Sequence, residues 1–195
     1  IYNAYHGALM ADGPAVPRQE YSDKNIKDTV IPLRNVLFAN ILYIQAAIHN
    51  AATNQPAVIA LATHAGDHAI YRDCRPESID AVRHALEISC DNPGAITYEA
   101  PFANLTKSQV LGEGIRAIRS LNELLMRVGR GNRRAAKSID EYRLWGLTNS
   151  CYSPVGDLAC GKCATCRERL QAFRDNSKID PARYVDDLNI PKRTY

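Results

Sequence analysis

Apolar positions recur along the chain at two spacings, and they mark alternating helices and strands. In residues 35–52, NVLFANILYIQAAIHNAA, helical spacing links Val36, Leu37, Ile41, Ile44 and Ile48, with Asn35 as N-cap after a turn at Pro32. This predicts a buried helix. The run AVIALA, 57–62, is bounded by Gln55-Pro56 and by polar residues, and it reads as a strand covered on both faces in a parallel sheet. A second helix starts at Pro76-Glu77, since proline suits the first helical position, and carries Ile79, Val82 and Leu86 on one face. AITYEA, 95–100, predicts the next strand and is followed by Pro101. Thr106 and Gln109 then form the capping box of a third helix. Strand, helix, strand, helix implies parallel order.

Composition narrows the class. The 195 residues are 46% hydrophobic and 23% charged, values of an ordinary folded protein. No apolar run nears the roughly 20 residues that cross a bilayer and no signal segment opens the chain, so the expectation is a cytoplasmic, reducing setting without membrane contact. A net charge of +3 is too balanced to mark a nucleic-acid binder. Residues 115–143 do concentrate seven arginines and one lysine, an arrangement that could meet phosphates. The same segment spaces Ile115, Ile118, Leu121, Leu124 and Leu125 helically, so the plainer reading is an amphipathic helix with a solvated basic face and no direct nucleic-acid binding. The chain begins at Ile1 rather than Met, which reads as a fragment.

Two clusters carry candidate chemistry. Cys151, Cys160, Cys163 and Cys166 follow the spacing C-x8-C-x2-C-x2-C. In a reducing setting such spacing points to metal rather than disulfides. Four thiolates complete a tetrahedral zinc ion and leave no open position, so the zinc would be structural; an iron–sulfur cluster would accept the same ligands. Gly161 lets the backbone fold back within this knuckle. The other cluster is the loop after AVIALA, where parallel sheets bind ligands. It holds His64, Asp67, His68, Tyr71, Asp73, Cys74 and Arg75 around Gly66. A polar surface loop is the plain alternative. Asp73 and Arg75 could fix a planar polar ring or could pair with each other. Cys74 could be a nucleophile, but no feature that would activate its thiol is visible, which favours a structural or substrate-lining use.

Four ordered blocks resemble the 7-cyano-7-deazaguanine synthase family: IPLRNVLF (31–38), ALATHAGDHAIYRDCRPE (60–77), YEAPFANLTKSQVLGEG (98–114) and TNSCYSPVGDLACGKCATCRERLQAF (148–173). They correspond to the family's V-P-G-R-N-x-x-F, G-V-x-x-x-D-x-x-x-Y-P-D-C-R, T-P-L-x-x-L-x-K-x-E and C-Y-N-G…C-G-x-C-x-x-C-x-x-R segments. The resemblance implies an α/β fold, a nucleotide-binding parallel sheet of the ATP pyrophosphatase type with a C-terminal zinc knuckle of four cysteines at 151–166. It also implies a ligase of queuosine and 7-deazapurine biosynthesis that turns 7-carboxy-7-deazaguanine and ammonia into the nitrile 7-cyano-7-deazaguanine. ATP with Mg(II) would adenylate first the carboxylate and then the amide. Arg34 and Asn35 match the family's R-N pair, Tyr71, Asp73, Cys74 and Arg75 its Y-P-D-C-R block, and Lys107 the lysine of L-x-K.

On this resemblance Asp73, Arg75 and Lys107 are the expected catalytic residues, and Arg34, Asn35, His64, Asp67, Tyr71 and Cys74 line the substrate. His64, Asp67 and His68 are candidates to handle ammonia. A homodimer is implied as well. The family's S-G-G-x-D-S phosphate loop occurs nowhere in the sequence, and the Gly129-Arg130-Gly131 cluster reads as a turn. The expectation is therefore that residues 1–195 form a single α/β domain that is the C-terminal part of a longer enzyme, incomplete at its N-terminus. Further departures are Leu33 for the glycine of P-G-R-N, Arg72 for the proline before Asp73, and Ser153-Pro154 for Asn-Gly. Two other classes stay open: a non-catalytic 7-deazaguanine-binding homologue, and a zinc-stabilised nucleic-acid-binding module. The knuckle is expected to act as a clasp that pins the C-terminal end of the sheet beside the loop that holds Asp73, with Arg167 and Arg169 following on a short helix.

Overall fold

A computed structural model describes Gly13, Ala15, Val16, Arg18 and residues 29–68, 70–90, 95–129 and 138–185. Helix α1 (Arg34–Thr53) leads to β1 (Ala57–Ala60), then two 3-10 turns, Ala65–Asp67 and Arg72–Cys74, then α2 (Pro76–Ile88), β2 (Ile96–Glu99), α3 (Lys107–Gly129), α4 (Glu141–Gly146) and α5 (Ala164–Asp175). The two strands pair in parallel with Ala57 opposite Ile96 and Ala60 opposite Glu99. No helix among the described residues is long and apolar enough to cross a membrane.

The alternation of β2 sends Ile96 and Tyr98 to one face, where they join Ile59 of β1 beneath α1 and α2. Ala39, Tyr43 and Ala46 of α1 and Ile79 and Leu86 of α2 close this core, with Val82 partly buried beside it. Small alanines on α1 let the helix approach the sheet closely. A second cluster joins Leu111 and Ile115 of α3 to Ala172 and Phe173 of α5, with Trp145 of α4 against them.

Two expectations about burial fail. Strand β1 is covered on one face only: Val58 is 64% exposed and Ala60 is exposed, because β1 has one strand neighbour and one helical layer among the described residues. On α1 the stripe of Leu37, Ile41, Ile44 and Ile48 points outward, opposite the stripe that packs on the sheet. The helix is apolar on both sides, so periodicity alone assigns the larger residues to the core, whereas the sheet takes the smaller ones.

Helix starts also differ from expectation in one case. Thr106 and Gln109 do make the reciprocal capping box: the Thr106 amide donates to Gln109 Oε1 at 2.8 Å and the Gln109 amide to Thr106 Oγ1 at 3.2 Å. Asn35 is not an N-cap. It lies inside the first turn of α1, and Leu33 occupies the cap position with φ 58° and no side-chain bond. On α3, Ile115 and Ile118 are buried, while Leu121 and Leu124 are exposed, so its inner face is confined to the first half. Arg116 pairs with Glu113 one turn earlier. The expected turn at Gly129-Arg130-Gly131 and the cationic Arg133 and Arg134 extend outside the described residues.

Candidate active site and metal centre

The segment between β1 and α2 folds as two tight turns, and side chains rather than a regular ladder hold them. His64 and Asp67 cap the first turn reciprocally: His64 Nδ1 accepts the Gly66 amide at 3.1 Å, and Asp67 Oδ2 accepts the His64 amide at 3.0 Å. Acceptance at Nδ1 places the proton of a neutral imidazole on Nε2. That nitrogen faces two carboxylates, Asp67 Oδ2 at 3.7 Å and Glu168 Oε1 at 3.8 Å. Gly66 is required for this approach, since a Cβ there would lie 2.9 Å from His64 Cε1 and 3.0 Å from Glu168 Oε1.

The second turn faces the start of α1. Asp73 Oδ2 accepts the backbone amide of Asn35 at 3.1 Å, and Asn35 Nδ2 donates to Cys74 Sγ at 3.1 Å. Burial, reinforced by the charges of Asp67 and Asp73, pushes the Cys74 thiol up to about 12, so it carries its proton near neutrality, which favours a structural or substrate-lining use over a nucleophilic one. Asp73 and Arg75 go to different partners rather than to each other: Arg75 Nε donates to the His68 carbonyl at 2.9 Å. Arg34 stacks over the Tyr71 ring, 5.7 Å from its centroid. The Tyr71 hydroxyl lies 3.4 Å from Thr29 Oγ1 and 3.4 Å from the Tyr152 hydroxyl. Only the backbone of His68 takes part in these contacts; its side-chain Nε2 is buried without a hydrogen-bond partner among the described residues.

Lys107 opens α3 just beyond the C-terminal end of β2, and its Nζ donates to Glu168 Oε2 at 2.5 Å. Arg34, Asn35, Tyr71, Asp73 and Cys74 thus make one continuous contact set, and His64, Asp67 and Lys107 a second, joined through Glu168. Sequence reasoning missed Glu168, Tyr152 and Thr29. Glu168 meets Lys107 from 61 positions away, and no local spacing announces such a contact.

The cysteine cluster lies against both sets. The sulfurs of Cys151, Cys160, Cys163 and Cys166 lie within 4.8 Å of one another, and all but Cys160 are buried. Backbone amides point at them: those of Ser153 and Cys160 donate to Cys151 Sγ at 3.3 and 3.2 Å, and those of Lys162 and Cys163 to Cys160 Sγ at 3.5 and 3.4 Å. Gly161, with φ 70°, makes the reversal that this requires. Donation from Cys166 favours the Cys163 thiolate and holds its pKa below the ordinary thiol range. Four mutually close sulfurs fed by amide donors fit a metal ion. Tyr152, next to Cys151, and Glu168, two residues after Cys166, carry contacts to Tyr71 and Lys107.

Downstream, Arg169 on α5 is buried and makes a two-pronged ion pair with buried Asp180, at 2.8 and 2.9 Å. It also donates to the Thr148 and Trp145 carbonyls and stacks on Phe173. This one side chain ties α4, α5 and the segment at Asp180 together.

Comparison with known proteins gives a consistent result. The family model described as queuosine biosynthesis protein QueC matches residues 1–177. The chain is 31% identical over 187 residues to a 7-cyano-7-deazaguanine synthase of Caldicellulosiruptor saccharolyticus, covering 96% of this chain and 69% of the relative. It is 30% identical to that of Pseudoalteromonas translucida, covering 91% and 67%, and 31% identical to that of Hahella chejuensis, covering 91% and 63%. The chain therefore spans about two thirds of the length of these relatives. Its knuckle of four cysteines, its Arg34-Asn35 start to α1 and its Tyr71–Arg75 turn are features of a chain that belongs to the QueC family of queuosine biosynthesis proteins.

Proposed function

We propose that the protein catalyses the ATP-dependent conversion of 7-carboxy-7-deazaguanine and ammonia to 7-cyano-7-deazaguanine. The observation that carries this reading is the family match together with the convergence of Arg34, Asn35, Tyr71, Asp73 and Cys74 at the C-terminal end of β1. The fold is of the ATP pyrophosphatase type, the described residues belong to one α/β domain, and the enzyme works as a homodimer.

The chemistry needs a carboxylate made reactive. Adenylation by ATP releases pyrophosphate and turns a carboxylate oxygen into part of an AMP leaving group. Ammonia then attacks the carbonyl carbon, the C–O bond to AMP breaks, and a proton leaves the new amide nitrogen. A second adenylation, now on the amide oxygen, lets the C–O bond break again as the remaining N–H protons depart, leaving the nitrile and AMP. Mg(II) supplies charge neutralisation on the polyphosphate. Lys107, held by Glu168 at the head of α3, adds a positive charge on the same side of the sheet. Arg34 and Asp73 offer complementary charges for a guanine-like ring, and Arg75 is positioned by the His68 carbonyl. His64 carries its proton on Nε2 and so serves as a donor rather than as the base that relieves ammonia of its proton; Asp67 keeps acceptor capacity for that task.

The cysteine cluster holds structural Zn(II). Four thiolates saturate a tetrahedral ion, so its contribution is to fix Tyr152 and Glu168 against the two turns. The test is direct: full-length protein incubated with 7-carboxy-7-deazaguanine, ammonia and Mg-ATP is expected to release AMP and form a product of nitrile mass. Binding of the deazaguanine acid without AMP release would overturn the reading.

A further inference from the structure

Four arginines among the described residues are buried or half-buried: Arg34, Arg75, Arg83 and Arg169. Three of them are bonded, Arg75 to the His68 carbonyl, Arg83 to the Tyr98 carbonyl and Asp80, and Arg169 to Asp180. The guanidinium of Arg34 makes no hydrogen bond and no ion pair among the described residues, and it stacks over the Tyr71 ring. Stacking engages its flat face and leaves the N–H groups, which lie in the plane of the guanidinium, open to another partner. A half-buried cation with unpartnered donors is unfavourable until a ligand takes them.

The surroundings narrow the kind of ligand group. Burial raises the Cys74 thiol to about 12 and lifts the Tyr152 hydroxyl above its ordinary value, and the charge of Arg34 works against both shifts, which sets the guanidinium beside these two side chains. Asp67 and Asp73 add to the rise at Cys74, so two carboxylates stand in the same neighbourhood, and neither pairs with Arg34 among the described residues. Asp73 gives its Oδ2 to the Asn35 amide instead. An anionic ligand entering here meets two negative charges, and Arg34 is placed to offset them.

A guanidinium has donors and no acceptor, so on a 7-deazaguanine acid it can meet either the ring oxo group or the carboxylate. The oxo group is neutral and is common to the acid, the amide and the nitrile. The carboxylate carries the negative charge, presents two oxygens to the fork of N–H groups, and is gone once the acid has become the amide. Beside Asp67 and Asp73, the charged group needs the cation more than the neutral one does.

We propose that Arg34 determines specificity for the acid, the edge of its guanidinium holding the carboxylate of 7-carboxy-7-deazaguanine while its face rests on Tyr71. This rests on the substrate proposed for the protein and adds which group of that substrate Arg34 reads. The contact forms with the acid alone, so Arg34 assists capture of the acid and not of the amide.

The test compares the acid with the corresponding amide on full-length protein. In calorimetry without ATP, the unaltered protein should bind the acid at least about 10-fold more tightly than the amide, and Arg34→Gln should remove that preference by weakening the acid about 30-fold. With Mg-ATP and ammonia, Arg34→Gln should raise KM for the acid in the same proportion, with KM for the amide and for ATP little changed. Equal losses for acid and amide would assign Arg34 to the ring oxo group or to the fold, and a raised KM for ATP would assign it to a phosphate; either overturns the proposal. So does an unaltered protein that binds the acid no more tightly than the amide, a result that does not depend on the variant's folding. AMP formation tests the proposed activity separately, because the binding comparison needs no turnover.

Discussion

Asp73 caps helix α1 from 38 residues away, its Oδ2 accepting the Asn35 amide at 3.1 Å while Leu33, at the local cap position, contributes no side-chain bond. The carboxylate thereby satisfies a free amide and meets the positive end of the helix dipole. Loss of the acceptor in Asp73→Ala should lower stability by about 1 kcal/mol, as for other lost N-caps. Asp73→Asn keeps an acceptor oxygen and should retain most of that stability in urea unfolding. If Asp73 also serves the reaction, Asp73→Asn should lose AMP formation with the fold intact; an active Asp73→Asn enzyme would limit Asp73 to the cap.

Leu33 is left-handed, with φ 58°, at the position where the family motif carries glycine. A Cβ in this region costs roughly 1–2 kcal/mol, and glycine's extra unfolded-state entropy returns part of it. Leu33→Gly should therefore stabilise by about 0.5 kcal/mol, visible as a higher thermal midpoint. Leu33 is 67% exposed, so little packing is lost. A lower midpoint would mean that the side chain serves a contact outside the described residues.

Legibility follows the distance over which each contact acts. The capping box of α3, the proline start of α2 and the sulfur cluster depend on neighbours within a few positions, and spacing alone reveals them. The inward face of α1 escapes such reading because Ala39, Tyr43 and Ala46 look less hydrophobic than the leucine and isoleucine stripe opposite, while only the sheet decides which side is covered. Asp73 is legible as a candidate site residue through the family block, but its capping of Asn35 is not. Glu168 follows Cys166 by two positions and reads as a surface charge until α5 is set beside α3. Asp180 is likewise an unremarkable acid in sequence and a buried one in the fold.

Arg169 and Asp180 are 7 and 5% exposed, and each depends on the other for neutralisation. Tyr184 also donates to Asp180, at 2.7 Å. Removing one charge strands its partner in a poorly solvated place, which costs about 3–5 kcal/mol. Arg169→Ala and Asp180→Ala should each lower the urea midpoint by a corresponding amount, and the double variant should cost less than the sum of the two. Additive losses would show that the two side chains act separately.

Cys74 gives a pH dependence with a definite sign. Its folded pKa, about 12, lies above the ordinary thiol value of 9.0, so between those limits the unfolded state loses this proton first. The stability associated with the protonated thiol is present in full below about pH 9 and falls as pH rises towards about 12. Native Cys74 should also resist iodoacetamide while half-buried Cys90 reacts, as peptide mass mapping at about pH 8 can show. Prompt alkylation of Cys74 would contradict its burial against Asn35.

Metal removal tests the clasp. Tyr152 adjoins Cys151, Glu168 follows Cys166 by two positions, and they reach Tyr71 and Lys107, so loss of an ion held by the four sulfurs should release both contacts at once. Thiolates bind metal only when deprotonated, so acidification should free it as chelators do. We expect chelator-treated protein to show a lower thermal midpoint, faster proteolysis between 151 and 166, and loss of AMP formation, all restored by Zn(II). Glu168→Gln separates the two contacts: it should weaken the hold on Lys107 without lowering metal content, so activity should fall while the chelator concentration needed to strip the metal stays the same. A protein that keeps both its midpoint and its activity after the metal is gone would show that the cluster holds nothing the site depends on.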